Sequence, residues 1–190
     1  MQIETTKKKF TVEDYYHMAE AGILQPDERV ELIEGEVVEM SPIGDPHGVI
    51  TDRANMIFAR GLGDKVVVSV QRPVRINRYN ELQPDVVLIR PRENFYGTRH
   101  PRPEDVVLLI EVSDTTLRKD QLVKLPIYAR SGIPEVWIID INADAIHTYR
   151  QPQRDRYLTT ASVGRGESVS PAAFPEFVMR VEDLLGPKSG

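Results

Sequence analysis

The sequence predicts a mixed α/β domain, and three observations support this class. Apolar runs of strand length, such as Val106–Ile110 and Val136–Ile139, recur through the second half of the chain. Segments with helical spacing of apolar residues lie before and between these runs. With 190 residues, 41% of them hydrophobic, the chain can build one substantial core but hardly two. We therefore expect a single domain over residues 1–190, with flexible ends at about 1–9 and 186–190.

The amino-terminal third predicts a helix, a hairpin and a second helix. Thr11 is a suitable N-cap, since Asp14 follows it in an acidic variant of the capping box. Alternating apolar residues on both sides of Gly35 are typical of a hairpin with a tight turn. The predicted elements are a helix over 11–21, a hairpin over 30–40 that turns at 34–35, a loop over 41–46 and a helix over 47–61.

The rest of the chain predicts a strand-rich block, a helix and further strands. Pro126 lies inside the predicted helix and removes one backbone donor, so we expect a kinked or shortened helix there. The predicted strands cover 65–70, 74–76, 85–89, 106–112, 135–141, 145–150 and 156–160, with a polar turn over 77–82, a loop over 91–103, a helix over 119–131 and a helical turn over 181–185.

Composition excludes several classes of protein. The chain has no cysteine, which excludes disulfides, thiolate zinc sites and cysteine nucleophiles. No apolar stretch approaches the roughly 18 residues of a membrane span. The basic residues Lys7–Lys9 are not followed by the apolar region of a secretory signal, so we expect a cytoplasmic protein without a membrane partner. The formal net charge of −5 argues against a nonspecific nucleic-acid coat protein but leaves a local basic patch open.

Two acidic residues border apolar strands, and a lysine follows them on a helix. Asp85 precedes one apolar run, and Glu111 ends the run that begins at Val106. Carboxylates in such surroundings need a partner or a metal ion. Two of them on adjacent strands suit Mg²⁺ or Mn²⁺, with water and a substrate phosphate completing the coordination. Lys124 shares a helix face with Asp120 and Tyr128 and is the candidate for orienting water or stabilising charge.

These residues belong to a longer series of motifs. The series consists of Glu31–Glu36, His47, Pro84-Asp85, Glu111–Ser113, Asp120 to Lys124, Tyr128 and Gly132–Asp140. In this order it resembles the Uma-type family of restriction endonucleases, in the PD-(D/E)XK nuclease superfamily, from about residue 10 to about residue 185. The resemblance implies a restriction-endonuclease-like core, a central mixed β-sheet flanked by helices. It also implies that Asp85 and Glu111 bind the metal ion and that DNA is the substrate.

One position departs from the superfamily motif. The motif lysine normally stands two residues after the second acid, where this sequence has Ser113. In the family that the chain resembles, the following helix supplies the lysine, which favours Lys124 as its replacement. The other interpretation is that Ser113 marks a protein with reduced activity.

Further candidates have both a structural and a functional interpretation. His47 suits a helix start or a contact with the site, and Gln71 suits the end of a strand or a contact with the site. Glu31 and Glu34 alternate on the hairpin, and the sequence does not decide which of them is the auxiliary acid. Arginines in the proline-rich loop are candidates for phosphate binding, although interleaved acids favour a salt-bridged loop equally. These arginines are Arg90, Arg92, Arg99 and Arg102.

The sequence thus predicts a Mg²⁺-dependent endonuclease and leaves two alternatives. One is a catalytically inactive module that binds nucleic acid or protein and retains the nuclease fold, which Ser113 would favour. The other is a metal-dependent hydrolase of a small phosphorylated substrate. Because cleavage of both strands of a duplex needs two active sites, we also expect a homodimer.

Overall fold

The computed structural model describes residues 7–187. The predicted end segments therefore lie largely outside the described residues, at 1–6 and 188–190. The helices are α1 Val12–Glu20, α2 Asp45–Leu62, α3 Leu117–Lys119, α4 Leu125–Arg130 and α5 Val181–Leu185. The strands are β1 Val30–Ile33, β2 Glu36–Glu39, β3 Val67–Val70, β4 Val74–Asn77, β5 Asn80–Leu82, β6 Val86–Ile89, β7 Val106–Ser113, β8 Glu135–Asp140, β9 Ala145–Gln153, β10 Arg156–Gly164, β11 Ser168–Val169 and β12 Met179–Arg180.

A six-stranded mixed sheet forms the centre of the fold, as predicted. Its strand order is β10-β9-β8-β7-β6-β3, and β7 and β8 run parallel while the other neighbours are antiparallel. Every residue of β7 is buried, because helices and the smaller sheet cover both of its faces. On one face Phe58 of α2 packs against Trp137. On the other face Ile127 of α4 packs with Leu109 and Val136.

A smaller antiparallel sheet has the order β2-β1-β5-β4. The predicted hairpin is its β1–β2 pair, and the turn needs Gly35, whose φ is +79° and where a Cβ would lie 2.7 Å from the Cβ of Lys9. The predicted polar turn over 77–82 is wrong in part. Only Arg78 and Tyr79 form the turn, whereas 80–82 form β5. The strand was not predicted because it contains the charged residue Glu81. The charge of the buried Glu81 is compensated by Arg75, whose Nε donates to Glu81 Oε2 at 2.9 Å.

The helical segment 117–130 contains the irregularity that Pro126 predicts. Between α3 and α4, residues Asp120–Lys124 form a π-helical turn. Pro126 cannot donate a backbone hydrogen bond, and its ring would collide with the carbonyl group four residues earlier in a regular α-helix. A wider turn just before a proline relieves that collision, and such turns are frequent at functional sites. The two ends of the turn, Asp120 and Lys124, are both buried.

Other boundaries differ slightly from the predicted ones. Helix α2 begins at Asp45, because Pro46 is well tolerated in the first turn of a helix. Strands β9 and β10 are longer than predicted. The two-residue strands β11 and β12 form a ribbon that was not predicted. No helix among residues 7–187 is long and apolar enough to cross a membrane.

A buried carboxylate organises the long loop between β6 and β7. Asp105 is 2% exposed and accepts hydrogen bonds from Arg99 Nη1 at 2.7 Å, Arg92 Nη2 at 2.8 Å and the backbone N–H of Arg102 at 2.9 Å. Burial raises the pKa of Asp105, but these hydrogen bonds outweigh it and lower the pKa to about 2. Asp105 thus ties the side chains of two loop arginines and the backbone of a third to one buried position.

We expect Asp105→Asn to destabilise the protein by roughly 2 kcal/mol at pH 7, because charge-assisted hydrogen bonds are lost. Since the folded-state pKa of Asp105 is depressed, its contribution is present above the unfolded-state pKa and is lost as the pH falls towards 2. The difference between variant and wild type should therefore shrink between about pH 4 and pH 2. Urea unfolding across this range measures it, with Asp155→Asn at an exposed turn as the control. A deficit that does not change with pH would contradict this account.

Candidate active site

Pairing of β6 with β7 brings the two predicted acids together. Val86 pairs with Ile110 in the antiparallel register, so Asp85, just before β6, lies next to Glu111 within β7. Asp85 Oδ2 accepts a hydrogen bond from the backbone N–H of Val112 at 2.8 Å, which fixes its carboxylate against β7. Both acids line one pocket of the protein.

Glu111 is a buried carboxylate held from the helical segment. It is 3% exposed, on the face of β7 that packs against α4. Its Oε1 accepts a hydrogen bond from the Tyr128 hydroxyl group at 2.6 Å and lies 3.2 Å from Lys124 Nζ. The predicted helix face of Lys124 and Tyr128 therefore points at Glu111.

Lys124 joins several carboxylates in the same pocket. Its Nζ lies 3.3 Å from Glu31 Oε2 and 3.9 Å from Asp120 Oδ1, in addition to Glu111. Glu31 is itself buried and receives a second lysine, Lys119, whose Nζ lies 3.0 Å from Glu31 Oε1. Sequence inspection did not identify Lys119, because it and Lys124 are five residues apart, a spacing that shares a face on a π-turn but not on an α-helix.

The electrostatics follow from burial and from the surplus of acids. Burial is the main cause that raises the pKa of Glu111, to about 8, and the carboxylates of Asp120, Asp85 and Glu31 add to it while the Lys124 ammonium group opposes it. Burial lowers the pKa of Lys124, but the surrounding carboxylates outweigh it and hold the pKa above its ordinary value. Burial also raises the pKa of the Tyr128 hydroxyl group, so it stays protonated and donates to Glu111.

Ser113 occupies the position of the motif lysine and has a structural contact. Its hydroxyl group donates to Asp120 Oδ2 at 2.7 Å, and the hydroxyl group of Thr116 donates to the same oxygen at 2.7 Å. Asp120 is thereby fixed at the start of the π-turn that ends at Lys124. Ser113 thus helps to position the segment that carries the lysine.

His47 contacts the other acid. It lies in the first turn of α2, and its Nε2 is 3.1 Å from Asp85 Oδ2. Since Asp85 Oδ2 also accepts from Val112, the carboxylate is held from both the sheet and the helix. The structure therefore brings His47 to the site.

The structure separates the two hairpin glutamates. Glu31 on β1 lines the pocket, whereas Glu34 lies in the turn and pairs with Arg130 and Lys9. Gln71 also lies outside the pocket lining. It touches the site only through its backbone, where its N–H donates to the carbonyl oxygen of Asp85 at 2.9 Å.

The four loop arginines do not line the acidic pocket. Arg92 and Arg99 pair with Asp105, which agrees with the salt-bridged interpretation of this loop. Arg90 is exposed, and Arg102 borders other cavities. Nothing in this arrangement places these guanidinium groups next to Glu111.

The donor atoms of the pocket fit a hard divalent cation. Asp85 Oδ1 and Glu111 Oε2 receive no hydrogen bond from any residue in 7–187, so each acid offers one oxygen to a ligand. No group of three or more histidine, aspartate or glutamate side chains in this part of the chain is arranged to hold a metal ion. Two carboxylates agree with Mg²⁺, which typically binds one or two of them and fills its octahedron with water and substrate phosphate.

Comparisons with known proteins identify the fold and the family of the chain. A crystal structure described as a putative nuclease belonging to DUF820, from Anabaena variabilis ATCC 29413, is similar over 93% of this chain and 97% of that chain. The TM-score is 0.70 at 15% sequence identity, which shows a shared fold. A search of curated proteins finds no significant match. The model of the Uma2 family, described as "Putative restriction endonuclease", matches residues 12–182, and the chain therefore belongs to the Uma2 family.

Proposed function

We propose that the chain is a divalent-cation-dependent endonuclease that hydrolyses phosphodiester bonds of DNA. The observation that carries the proposal is the convergence of three groups in one pocket. Asp85 and Glu111 meet where β6 begins beside β7, and Lys124 Nζ lies 3.2 Å from Glu111 although the motif lysine is absent. Membership of a family described as restriction endonucleases supports DNA as the substrate.

Asp85 and Glu111 would hold Mg²⁺ or Mn²⁺ through Asp85 Oδ1 and Glu111 Oε2, to which no residue among 7–187 donates. A bound cation would supply Lewis-acid polarisation of a phosphoryl oxygen and a lowered pKa for a coordinated water. The Val112 N–H and His47 fix the carboxylate of Asp85, and the Tyr128 hydroxyl group fixes that of Glu111. Such partners orient metal ligands, and their loss typically lowers affinity or activity about 10–100-fold.

Lys124 would stabilise charge on the reacting phosphate or orient the attacking water. Lys124 stays protonated, because the carboxylates around it raise its pKa although burial lowers it. Glu31 is the auxiliary acid in this proposal, since it positions both Lys124 and Lys119. Cleavage of both strands of a duplex takes two such pockets, so we propose that the acting species is a homodimer.

The first prediction concerns the two acids. We expect Asp85→Asn and Glu111→Gln each to lower the affinity for Mg²⁺ and Mn²⁺ and the rate of plasmid nicking by more than about 100-fold. The reason is that loss of a metal ligand should reduce affinity more than loss of a residue that only orients a ligand. Calorimetry and gel assays measure the two effects. The matched control is Glu34→Gln, on the same hairpin as Glu31 but outside the pocket.

A wild-type protein that binds neither cation, even with DNA present, would contradict the catalytic proposal and favour the noncatalytic module. Cleavage of nucleotides but not of DNA would favour the hydrolase of a small phosphorylated substrate. Equal losses in Glu34→Gln and Glu111→Gln would show that the effect does not arise in the pocket.

The second prediction concerns the position of the lysine. We expect Lys124→Gln to lower the cleavage rate by about 100-fold or more while cation binding persists, because a preorganised charge at the reacting group is lost. Ser113→Ala should remain within a few-fold of wild type, because its hydroxyl group only helps to hold Asp120. Single-turnover cleavage at saturating cation measures both, with thermal unfolding as the check on folding. The reverse order of effects would show that Lys124 does not replace the motif lysine.

A further inference from the structure

A second cavity lies between α1, β4 and the β6–β7 loop. Arginines dominate its lining, which includes Arg72, Arg75, Arg99, Arg102 and His100. No aspartate or glutamate among residues 7–187 lines it. In a chain with a net charge of −5, such a local excess of arginine is unusual for a solvated surface.

Counting the nearby charges leaves a positive surplus. The cavity and its rim carry five guanidinium groups, and three carboxylates, Glu81, Asp105 and Glu13, pair with three of them. Arg72 and Arg102 have no carboxylate within salt-bridge distance in the described part of the chain. Arg72 instead donates to two backbone carbonyl groups, which are neutral and leave its charge uncompensated.

Three of the five arginines are held in place before any ligand arrives. Three guanidinium groups, those of Arg72, Arg92 and Arg99, lie 5.2–5.7 Å from the centre of the buried Tyr96 ring. The carbonyl groups that bind Arg72 belong to Phe95 and Tyr96, which have φ values of 46° and 62°. Left-handed backbone at two successive aromatic residues is strained, and such strain persists where the surroundings fix a functional conformation.

This cavity is distinct from the acidic pocket. Leu32 pairs with Glu81 in the smaller sheet, and Arg75 also pairs with Glu81. Because successive side chains of a strand alternate, Glu31 of the acidic pocket points to the opposite face of that sheet from Glu81 and Arg75. The smaller sheet therefore separates the two sites.

We propose that this cavity binds a phosphate group, with Arg72 and Arg102 as the principal contacts. Guanidinium groups that approach from several elements fit the several oxygens of a phosphate, and their planar forks bind such oxygens in pairs. The site requires neither a cation nor catalysis at Glu111. The phosphate belongs either to a nucleic-acid backbone or to a small phosphorylated ligand, and the two sources bind through the same contacts.

The test uses two probes in the presence of EDTA. Calorimetry follows inorganic phosphate, and fluorescence anisotropy follows a labelled DNA duplex. We expect Arg102→Gln to weaken at least one probe about tenfold. For DNA, it should also reduce the slope of log affinity against log salt by about one. Arg102 is exposed and has no ion pair to lose among residues 7–187, so this variant should fold; Arg72→Gln is the second variant. Arg156→Gln, at an exposed position on β10, is the control for loss of charge.

Weaker DNA binding by the two variants, with or without weaker binding of inorganic phosphate, would identify the site as a contact for the DNA backbone. Weaker binding of inorganic phosphate alone would identify a small phosphorylated ligand. The inference is overturned if both probes bind Arg102→Gln and Arg72→Gln as they bind wild type, or if Arg156→Gln weakens them equally. Asp85→Asn should bind inorganic phosphate as the wild type does, because Asp85 does not line this cavity. Phosphate binding by this variant therefore tests the cavity independently of the proposed catalytic pocket.

Discussion

Burial of the Glu111 carboxylate is the constraint on which the rest of the site depends. A charged group in the middle of an apolar sheet costs several kcal/mol unless it is paired and hydrogen-bonded. Here the Tyr128 hydroxyl group and the Lys124 ammonium group compensate the cost in part, and burial still raises the pKa of Glu111 to about 8. An acid so far from its ordinary pKa is a frequent mark of a functional site.

The layout of the helical segment follows from this constraint. Lys124 and Tyr128 reach Glu111 from one helical face, but Asp120 and Lys124 bracket a π-turn that places Lys119 near Glu31 as well. The hydroxyl group of Ser113, at the end of β7, donates to Asp120 at the start of the same turn. Ser113 therefore supports the segment that carries Lys124, which gives a physical reason for serine at this position.

Much of this arrangement could be predicted from the sequence. Asp85 directly precedes one apolar run and Glu111 directly follows another, and that local signal is strong because charges are rare beside such runs. The choice between Glu31 and Glu34 could not be predicted, since both alternate with apolar residues on one hairpin. Only the position of the smaller sheet against the helical segment shows that Glu31, and not Glu34, lines the pocket and contacts Lys124.

Other features depend on partners that are distant in sequence. In the sequence Glu81 looks like an exposed turn residue. In the structure Arg75 and Tyr16 bind its carboxylate, so it is accommodated in a buried strand where a polar turn was predicted. The loop arginines suggest phosphate contacts, yet Asp105, next to β7, engages Arg92 and Arg99. Local pattern predicts the elements and the main acids, whereas the pairing of charges requires the tertiary structure.

The most direct test of the central claim is a crystal structure of the protein grown with Mn²⁺, with the metal located by its anomalous scattering. The account predicts an anomalous peak between the carboxylates of Asp85 and Glu111, next to Asp85 Oδ1 and Glu111 Oε2. A peak elsewhere, or a fully ordered acidic pocket without a peak at saturating Mn²⁺, would contradict it.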